Sequence, residues 1–438
     1  MRVCVYTLGC RLNQGESEAV ADAFSKSGHT IVSDDEKADF YVVNTCTVTS
    51  KAEQKCRRMI RKFASSAPVA VTGCYAQLNS DEISALSPNV VVFALDRKAS
   101  LLGLPSYLAE KEEEGVDLLS ALRLYHGKGD NPFAFDANSF SYHSRAYLKI
   151  EDGCDNACAY CRVHVARGRA VDLAPDVIVS RALCLEKEGF HEIMLTGVNL
   201  TMYDHRGEGL GALVENLLSA LGPDMRIRLS SMESDHVDDR LIATFSDKRM
   251  QPHFHLPIQS ASRKVLQRVT RYDDMDHVVS VVRRLREVKD DPFIAADVIT
   301  GLPGEGEAEF QETYDFFQRE HFSMMHVFPF SPRPDTPLFR ATDRVPESVR
   351  DERAERLRLL AGQLYKEYKD RQAGRGGEVI LEQRKSGAWY GTTGNYLPVK
   401  VLDVPLFAKI GDLFPVLFTD GENVRVLSID TQEKSPLQ

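Results

Sequence analysis

Short apolar runs alternate with helix-like segments through the first third of the chain. Val3–Leu8, Phe40–Val43 and Val69–Val71 are the apolar runs, and each leads into a cysteine, at Cys10, Cys46 and Cys74. Glu16–Lys26 and Lys51–Ala64 lie between them with helical character, so the alternation predicts βαβαβ and a largely parallel sheet. Strand carboxyl ends in such a sheet share one edge, where ligands bind. Three thiols far apart in sequence are thereby brought to one rim. From Ala99 to Asn138 the chain turns polar, with near-continuous acid at Glu110–Glu114 and a Gly/Asp/Asn/Pro cluster at Gly127–Pro132. That stretch reads as a domain connection, with room for a helix.

Helix and strand patterns then alternate to about residue 340. Strands are predicted at Tyr147–Ile150, Ile193–Thr196, Arg226–Ser230, His253–Leu256, Ile294–Ile299 and Met324–Phe330. Helices are predicted at Pro175–Glu188, Leu210–Leu221, Ser262–Val269 and Met275–Lys289. Six βα units make a partial parallel barrel with its functional residues at strand carboxyl ends. Val345–Gln372 mixes Glu and Arg along a helical stretch and reads as a solvated connector. Past the break at Gly374–Gly377, the runs EVILEQ, YLPVKVLDV, DLFPVLFTD and NVRVLSI predict an all-β unit of about 60 residues.

Composition changes this picture little. A chain of 438 residues suggests about three domains. With 43% hydrophobic and 27% charged residues it has ample core material. No run approaches the ~18–20 apolar residues of a membrane span, and MRVCVYTLGC is not a signal peptide. Nine cysteines without such a signal point to a reducing, cytoplasmic setting where thiols bind metal or do chemistry. The net charge of −10 gives no support to nucleic-acid binding, although a local basic face can work on an acidic protein. KAEQKCRRMIRK at 51–62 is either a solvated helix face or a phosphate-contacting helix close to Cys46.

The chemistry concentrates in Tyr147–Arg169, YLKIEDGCDNACAYCRVHVARGR. Cys154, Cys158 and Cys161 stand there in a C-x₃-C-x₂-C run, with Tyr160 just before the last. A tight loop of this spacing can bring three thiolates to one iron–sulfur cluster or one zinc. Structural zinc wants a fourth ligand, and none follows at zinc-finger spacing, although His164 is close. The set fits better with a 4Fe–4S cluster that leaves one iron open to a substrate or cofactor. Idle buried thiols are the competing reading, but three at this spacing arise rarely by chance. The N-terminal three are either a second cluster site or small core hydrophobes, since cysteine often packs as one. Cys4, Cys56 and Cys184 read as structural.

The C-x₃-C-x-aromatic-C run resembles the signature of radical S-adenosylmethionine enzymes. Asp152-Gly153-Cys154 before it and Ala166-Arg167-Gly168-Arg169 after it resemble the methylthiotransferase branch in particular. YTLGCRLNQGESEA, YVVNTCTVTS and VTGCYAQL are similar to that branch's N-terminal motifs. The resemblance implies a 4Fe–4S cluster on Cys154, Cys158 and Cys161 that binds S-adenosylmethionine and cleaves it to a 5′-deoxyadenosyl radical. It implies an auxiliary 4Fe–4S cluster on Cys10, Cys46 and Cys74. Glu192–Asn199, Arg228–Glu233, His255–Ser262 and Asp297–Glu305 resemble the family's strand ends around the cofactor. Contacts to it are implied from Tyr160, Thr196, Gly197, Ser230, Glu233, Gln259 and Gly301. FPFSPRPDTP at 328–337 matches the closing motif, and GTTGNYLPVKV at 391–401 resembles the TRAM domain, an OB-like barrel of RNA-modifying enzymes. Three positions depart from the family pattern. His164 stands where proline is common, Ala170-Val171-Asp172 replaces Ser-Arg-Ser, and Ala261 stands where glycine is common.

The fold class implied is α/β. It comprises an N-terminal parallel α/β domain over 1–138, a partial (β/α)₆ radical core over 139–372, and an OB-like, TRAM-like β-barrel over 373–438. The activity implied is transfer of a methylthio group to carbon 2 of an adenosine beside the tRNA anticodon. That carbon is not nucleophilic, so its C–H bond has to be broken homolytically, and a second S-adenosylmethionine would methylate the sulfur. Thr7-Leu8-Gly9-Cys10 with Asn13-Gln14 resembles the subfamily acting on N6-threonylcarbamoyladenosine. Partners would be the tRNA anticodon stem-loop and an electron donor such as flavodoxin or ferredoxin, with no membrane. Two relatives of that activity stay open, on isopentenyladenosine tRNA or on a ribosomal-protein aspartate. A non-catalytic iron–sulfur RNA-binding or electron-transfer protein is the third.

Overall fold

The computed structural model describes residues 1–129, 131–137 and 144–427. β1 (Arg2–Thr7), β2 (Thr30–Ile31), β3 (Phe40–Thr45), β4 (Val69–Gly73) and β5 (Val90–Val92) form one parallel sheet in the order β2-β1-β3-β4-β5. The strands are nearly continuous apolar runs because helices cover both faces. Alternate residues go to opposite sides. Val3, Val5 and Val42 meet Val20 and Phe24 of α1 (Arg11–Lys26), while Tyr41, Val43 and Val71 meet Ile60 and Phe63 of α2 (Ser50–Ala64).

Helix α1 starts at Arg11, more than a turn before the expected Glu16, with Cys10 as its N-cap. The sequence hides this turn because Gly15 and the buried polar residues Asn13 and Glu16 break any hydrophobic period. Packing decides it instead: a Cβ on Gly15 would lie 3.0 Å from the Tyr147 Cβ.

The stretch read as a connection is folded. It holds a 3₁₀ turn at Ala99–Leu102 and helices at Leu104–Glu113 and Leu118–Leu124. Leu101, Leu104, Leu108, Ala121 and Leu122 are buried in the same core as Phe24. Their helical spacing is masked in sequence by the acidic residues between them. The expected domain boundary at 138/139 lies outside the described residues.

The central strands are β6 (Ala146–Lys149), β7 (Glu192–Thr196), β8 (Arg226–Leu229), β9 (His253–Gln259), β10 (Phe293–Thr300) and β11 (Met324–Pro329). All neighbours pair in parallel, β6 with β7 and β8 on one side and β9 with β10 and β11 on the other. Bridges Ile227–Met250 and Ser231–His255 stitch the two halves, giving an arc in sequence order. Helices Pro175–Lys187, Leu210–Ala220, Met275–Val288 and Glu307–Glu320 bury their apolar residues against it.

The charged helix Glu347–Arg371 is not a solvated connector. Leu357, Leu360, Ala361 and Leu364 join the central core, and Tyr368 enters the core of the C-terminal barrel. An apolar residue every three or four positions makes one buried stripe among the charges.

The barrel closes as β12-β13-β14-β16-β15, from β12 (Gly376–Lys385), β13 (Ala388–Thr393), β14 (Pro398–Leu402), β15 (Leu413–Phe418) and β16 (Asn423–Val426). The sequence pattern missed β13, AWYGTT, where the buried Gly391 and Thr393 leave Trp389 as the one large apolar side chain packed on the barrel core. The expected NVRVLSI run passes beyond the described residues at 428. Phe293 and Ala295 of β10 pack into the barrel core with Tyr368, and the Asn395 amide donates to the Tyr368 hydroxyl at 3.0 Å. Among the described residues, no helix is long and apolar enough to cross a membrane.

At the end of β4, Gly73 has φ +100°, and an added Cβ would lie 2.3 Å from the Thr45 carbonyl oxygen. Gly73→Ala is expected to destabilise the protein by about 3 kcal/mol in chemical denaturation, because this backbone region is open to glycine alone.

Candidate active site

The carboxyl ends of the first sheet and of the central arc open onto one cavity of about 340 Å³. Cys10 follows β1, Cys46 follows β3, Cys74 follows β4, and the loop after β6 supplies Cys154, Cys158 and Cys161. All six thiols line this cavity. Cys10 and Cys74 are near enough to Cys46 to disfavour its thiolate, as is the core residue Cys56, and Cys161 and Cys158 act likewise on Cys154, so the cavity thiols fall into two triads. Cys4 and Cys56 are buried in the sheet core, Cys184 is half-buried on its helix, and none of the three lines the cavity.

Burial pushes the thiols of Cys46 and Cys154 up to about 12 and that of Cys161 up to about 11. Such groups stay protonated unless a cation repays the desolvation of the thiolate, and metal binding then releases their protons. Polar hydrogens already point at the sulfurs. The Arg167 Nε donates to Cys74 Sγ at 3.3 Å, and the Val163 amide to Cys161 Sγ at 3.4 Å. The Asn199 amide nitrogen approaches Cys154 Sγ at 3.9 Å. Hydrogen bonds to sulfur of this kind hold and tune iron–sulfur clusters. Both triads fit such a group.

Of the residues implied to meet the cofactor, Tyr160, Gly197, Glu233 and Gln259 line the cavity, and Thr196, Ser230 and Gly301 do not. Gln259 is turned inward by a break in the β9–β10 register and has φ 65°. At Gly197 an added Cβ would lie 2.4 Å from Oε2 of Glu151, which accepts the Asn199 amide at 2.9 Å. Thr196 Oγ1, Ser230 Oγ and Glu151 Oε1 are buried behind this rim without a protein partner. Unpaired polar atoms of that sort cost about 1–3 kcal/mol each, so the rim suits a polar ligand with its ordered water. At Gly301 an added Cβ would strike the Arg350 side chain at 2.0 Å. Its strand end is covered by the Glu347–Arg371 helix.

Apart from Glu233, sequence reasoning assigned no role to the charged groups that frame the cavity. Arg271 pairs with Glu233 and Asp273, and burial still pushes the Glu233 carboxyl up to about 7. Arg162, directly after Cys161, donates to Thr47 at 3.0 Å, Glu53 at 2.7 Å, Asn79 at 2.9 Å and Asp335 at 2.8 Å. It ties the first sheet to the closing motif. Ser231 Oγ, His255 and Asp297 form a chain of 2.7 and 3.1 Å contacts along the opposite wall. On α2, Lys51, Lys55, Arg58, Arg61 and Lys62 are exposed and lie outside the cavity lining.

The family model described as Uncharacterized protein family UPF0004 matches residues 2–94, and that of the Radical SAM superfamily matches residues 148–317. Threonylcarbamoyladenosine tRNA methylthiotransferase MtaB of Bacillus subtilis is 36% identical over 98% of this chain and 98% of its own length. The chain belongs to the radical S-adenosylmethionine methylthiotransferase family. MtaB of Thermotoga maritima is 35% identical over 89% of this chain and 87% of its own. A tRNA-2-methylthio-N(6)-dimethylallyladenosine synthase of Sphingopyxis alaskensis is 30% identical over 95% of each. Among solved structures, the radical S-adenosylmethionine methyltransferase TsrM of Kitasatospora setae shares the fold. Its TM-score is 0.53 at 14% identity, over 77% of this chain and 76% of that one. Membership makes the protein an enzyme, a transferase, with S-adenosylmethionine and a 4Fe–4S cluster as cofactors.

In this member of the methylthiotransferase family, one buried ionic lattice joins the two triads. Glu16 of α1 accepts from Lys149 at 2.7 Å, from Arg167 at 3.2 Å and from Lys98. Asp152, two residues before Cys154, accepts from Lys149 at 2.6 Å and Arg167 at 2.9 Å. Burial alone would push both carboxyls up. Arg167 and Lys149, with Lys98 at Glu16, outweigh it and hold Glu16 well below, and Asp152 below, the usual carboxylate range. With both folded values depressed, the lattice contributes fully above the unfolded values near ~4. It is lost as pH falls below them. Glu16→Gln leaves three cations undercompensated and is expected to destabilise the fold by about 3–5 kcal/mol at neutral pH. The variant is also expected to show a flatter fall in stability between pH 5 and 3, both read by urea denaturation.

Proposed function

We propose that the protein transfers a methylthio group to carbon 2 of N6-threonylcarbamoyladenosine next to the anticodon of tRNA. The observation that carries this reading is the shared cavity, where two thiol triads from separate sheets meet the strand ends that carry Gly197, Glu233 and Gln259. The relatives called MtaB, 32–36% identical to this chain, support the choice of nucleoside.

Cys154, Cys158 and Cys161 would hold the 4Fe–4S cluster, which when bound supplies the electron that cleaves S-adenosylmethionine. Gly197 gives the backbone close approach there, and Glu233, fixed by Arg271, offers a carboxylate to the polar end of the cofactor. Cys10, Cys46 and Cys74 would hold an auxiliary 4Fe–4S cluster, with the Arg167 guanidinium balancing its thiolates. Ile299, Phe328 and Phe330 line the cavity that the triads share. Such apolar walls keep water from a reactive radical. The closed C-terminal barrel would act as a TRAM-type RNA contact, and a flavodoxin or ferredoxin would deliver electrons in the cytoplasm.

Two triple variants separate these roles. After anaerobic reconstitution, wild type is expected to hold about twice the iron of either variant. Replacing Cys154, Cys158 and Cys161 by Ala abolishes 5′-deoxyadenosine formation. Replacing Cys10, Cys46 and Cys74 spares cofactor cleavage but abolishes methylthiolation. Unchanged iron in the second variant would remove the auxiliary cluster from the reading. In tRNA from a deletion strain, mass spectrometry is expected to find the threonylcarbamoyl nucleoside without its methylthio group. Persistence of that group would sink the substrate assignment.

A further inference from the structure

A second cavity, about 400 Å³, opens where the N-terminal sheet domain, the central arc and the barrel meet. It is lined by Arg11, Ser144, Arg145, Tyr147, Glu382 and Tyr396, among others. Three guanidiniums converge on the Tyr396 ring, Arg228 at 4.9 Å and Arg11 and Arg145 each at 5.4 Å from its centroid.

Their charges are unequally answered. Arg228 is closed, with both Glu192 oxygens at 2.6 and 3.0 Å and the Gly394 carbonyl at 2.8 Å. Arg145 spends Nη2 on Glu382 at 2.6 Å, and its Nε lies 3.9 Å from the already engaged Glu192. Its Nη1 is buried without a partner although the residue is only 8% exposed, and the neighbouring Ser144 Oγ is likewise unpaired. Arg11 donates to Gln14 at 3.0 Å and to the Tyr396 hydroxyl, and among the described residues it has no ion-pair partner. Three cations therefore face two carboxylates. An orphaned guanidinium nitrogen beside an uncompensated arginine is a site for an oxyanion, which arginine binds through paired N–H groups.

Arg11 also fixes where this anion sits relative to the chemistry. It follows Cys10 directly and opens α1. His253 meets the Tyr396 ring in a tilted contact with centroids 4.3 Å apart, and β9 runs from His253 to Gln259 in the active cavity. The arginines inside the active cavity, Arg162, Arg167 and Arg271, are each matched by two carboxylates. Arg11, which has no carboxylate partner among the described residues, lies outside it, between the barrel and the auxiliary triad.

We infer that Arg11 and Arg145, braced on Tyr396, bind a backbone phosphate of the RNA substrate beside the active cavity. This rests on the tRNA reading above. A strand whose modified base enters the active cavity while its flank lies on the barrel would pass this point. One phosphate held there sets the distance between barrel and reacting base.

The test is equilibrium binding of an anticodon stem-loop, with and without the threonylcarbamoyl group, across a salt series. Wild type, Arg11→Gln and Arg11→Lys are compared, with thermal unfolding to establish that each is folded. Arg11→Gln is expected to weaken both RNAs by a similar factor, about tenfold at low salt. It should also reduce the slope of log K against log salt by about one. Arg11→Lys, keeping the charge, should restore the slope. If the glutamine variant unfolds, Arg11→Met, which keeps the stem on Tyr396, takes its place. An unchanged slope overturns the inference. A loss confined to the threonylcarbamoyl RNA also overturns it, assigning Arg11 to that group's carboxylate. Failure of wild type to bind either RNA would instead strike the tRNA reading itself.

Discussion

The ion lattice of Glu16, Asp152, Lys98, Lys149 and Arg167 is the constraint on which the rest depends. Its members come from α1, the segment before the connecting helices, β6 and its following loop, and the helix after the cysteine loop. Charges this deep gain little net stability as pairs, but removing one leaves its partners stranded at a cost of several kcal/mol. The lattice therefore works as a register. It allows one docking of the first sheet on the central arc, the one that puts both thiol triads on a single cavity. Arg167 does this while its Nε reaches Cys74, so the docking contact and the thiol environment are one side chain.

A second clamp lies on the far side. Arg162 reaches Thr47 and Glu53 from the first sheet and Asp335 from the closing motif. Arg333 adds a further ion pair to Glu53. Arg162 and Arg167 stand at the two ends of the helix after the cysteine loop, so the segment that follows Cys154, Cys158 and Cys161 is tied to the first sheet at both ends. Radical chemistry needs such rigidity, because a highly reactive species must meet one bond and no other. The apolar lining from Ile299, Phe328 and Phe330 serves the same end.

Much of this was legible in sequence, and the reason is local. The cysteine loop is compact enough for spacing alone to bring its thiols together. Parallel βαβ alternation places strand carboxyl ends on one edge, so Cys10, Cys46 and Cys74 could be put on one rim before any strand order was known. The failures are also physical. The helix over Glu347–Arg371 looked solvated because its buried stripe is narrow among many charges. The helices between Leu104 and Leu124 were concealed by acids on their outer faces.

The sequence by itself determined which residues carry sulfur, which elements they terminate, and the chemistry those thiols suit. Each of these depends on neighbours within one supersecondary unit, where hydrophobic period and turn residues act at short range. The tertiary structure alone decided that the two triads share one cavity, which polar residues line it, and which arginines remain uncompensated. Those outcomes depend on how separately folded sheets dock. A buried charge such as Glu16 has no local signature, because its partners Lys98, Lys149 and Arg167 are far along the chain, and only docking removes them all from water.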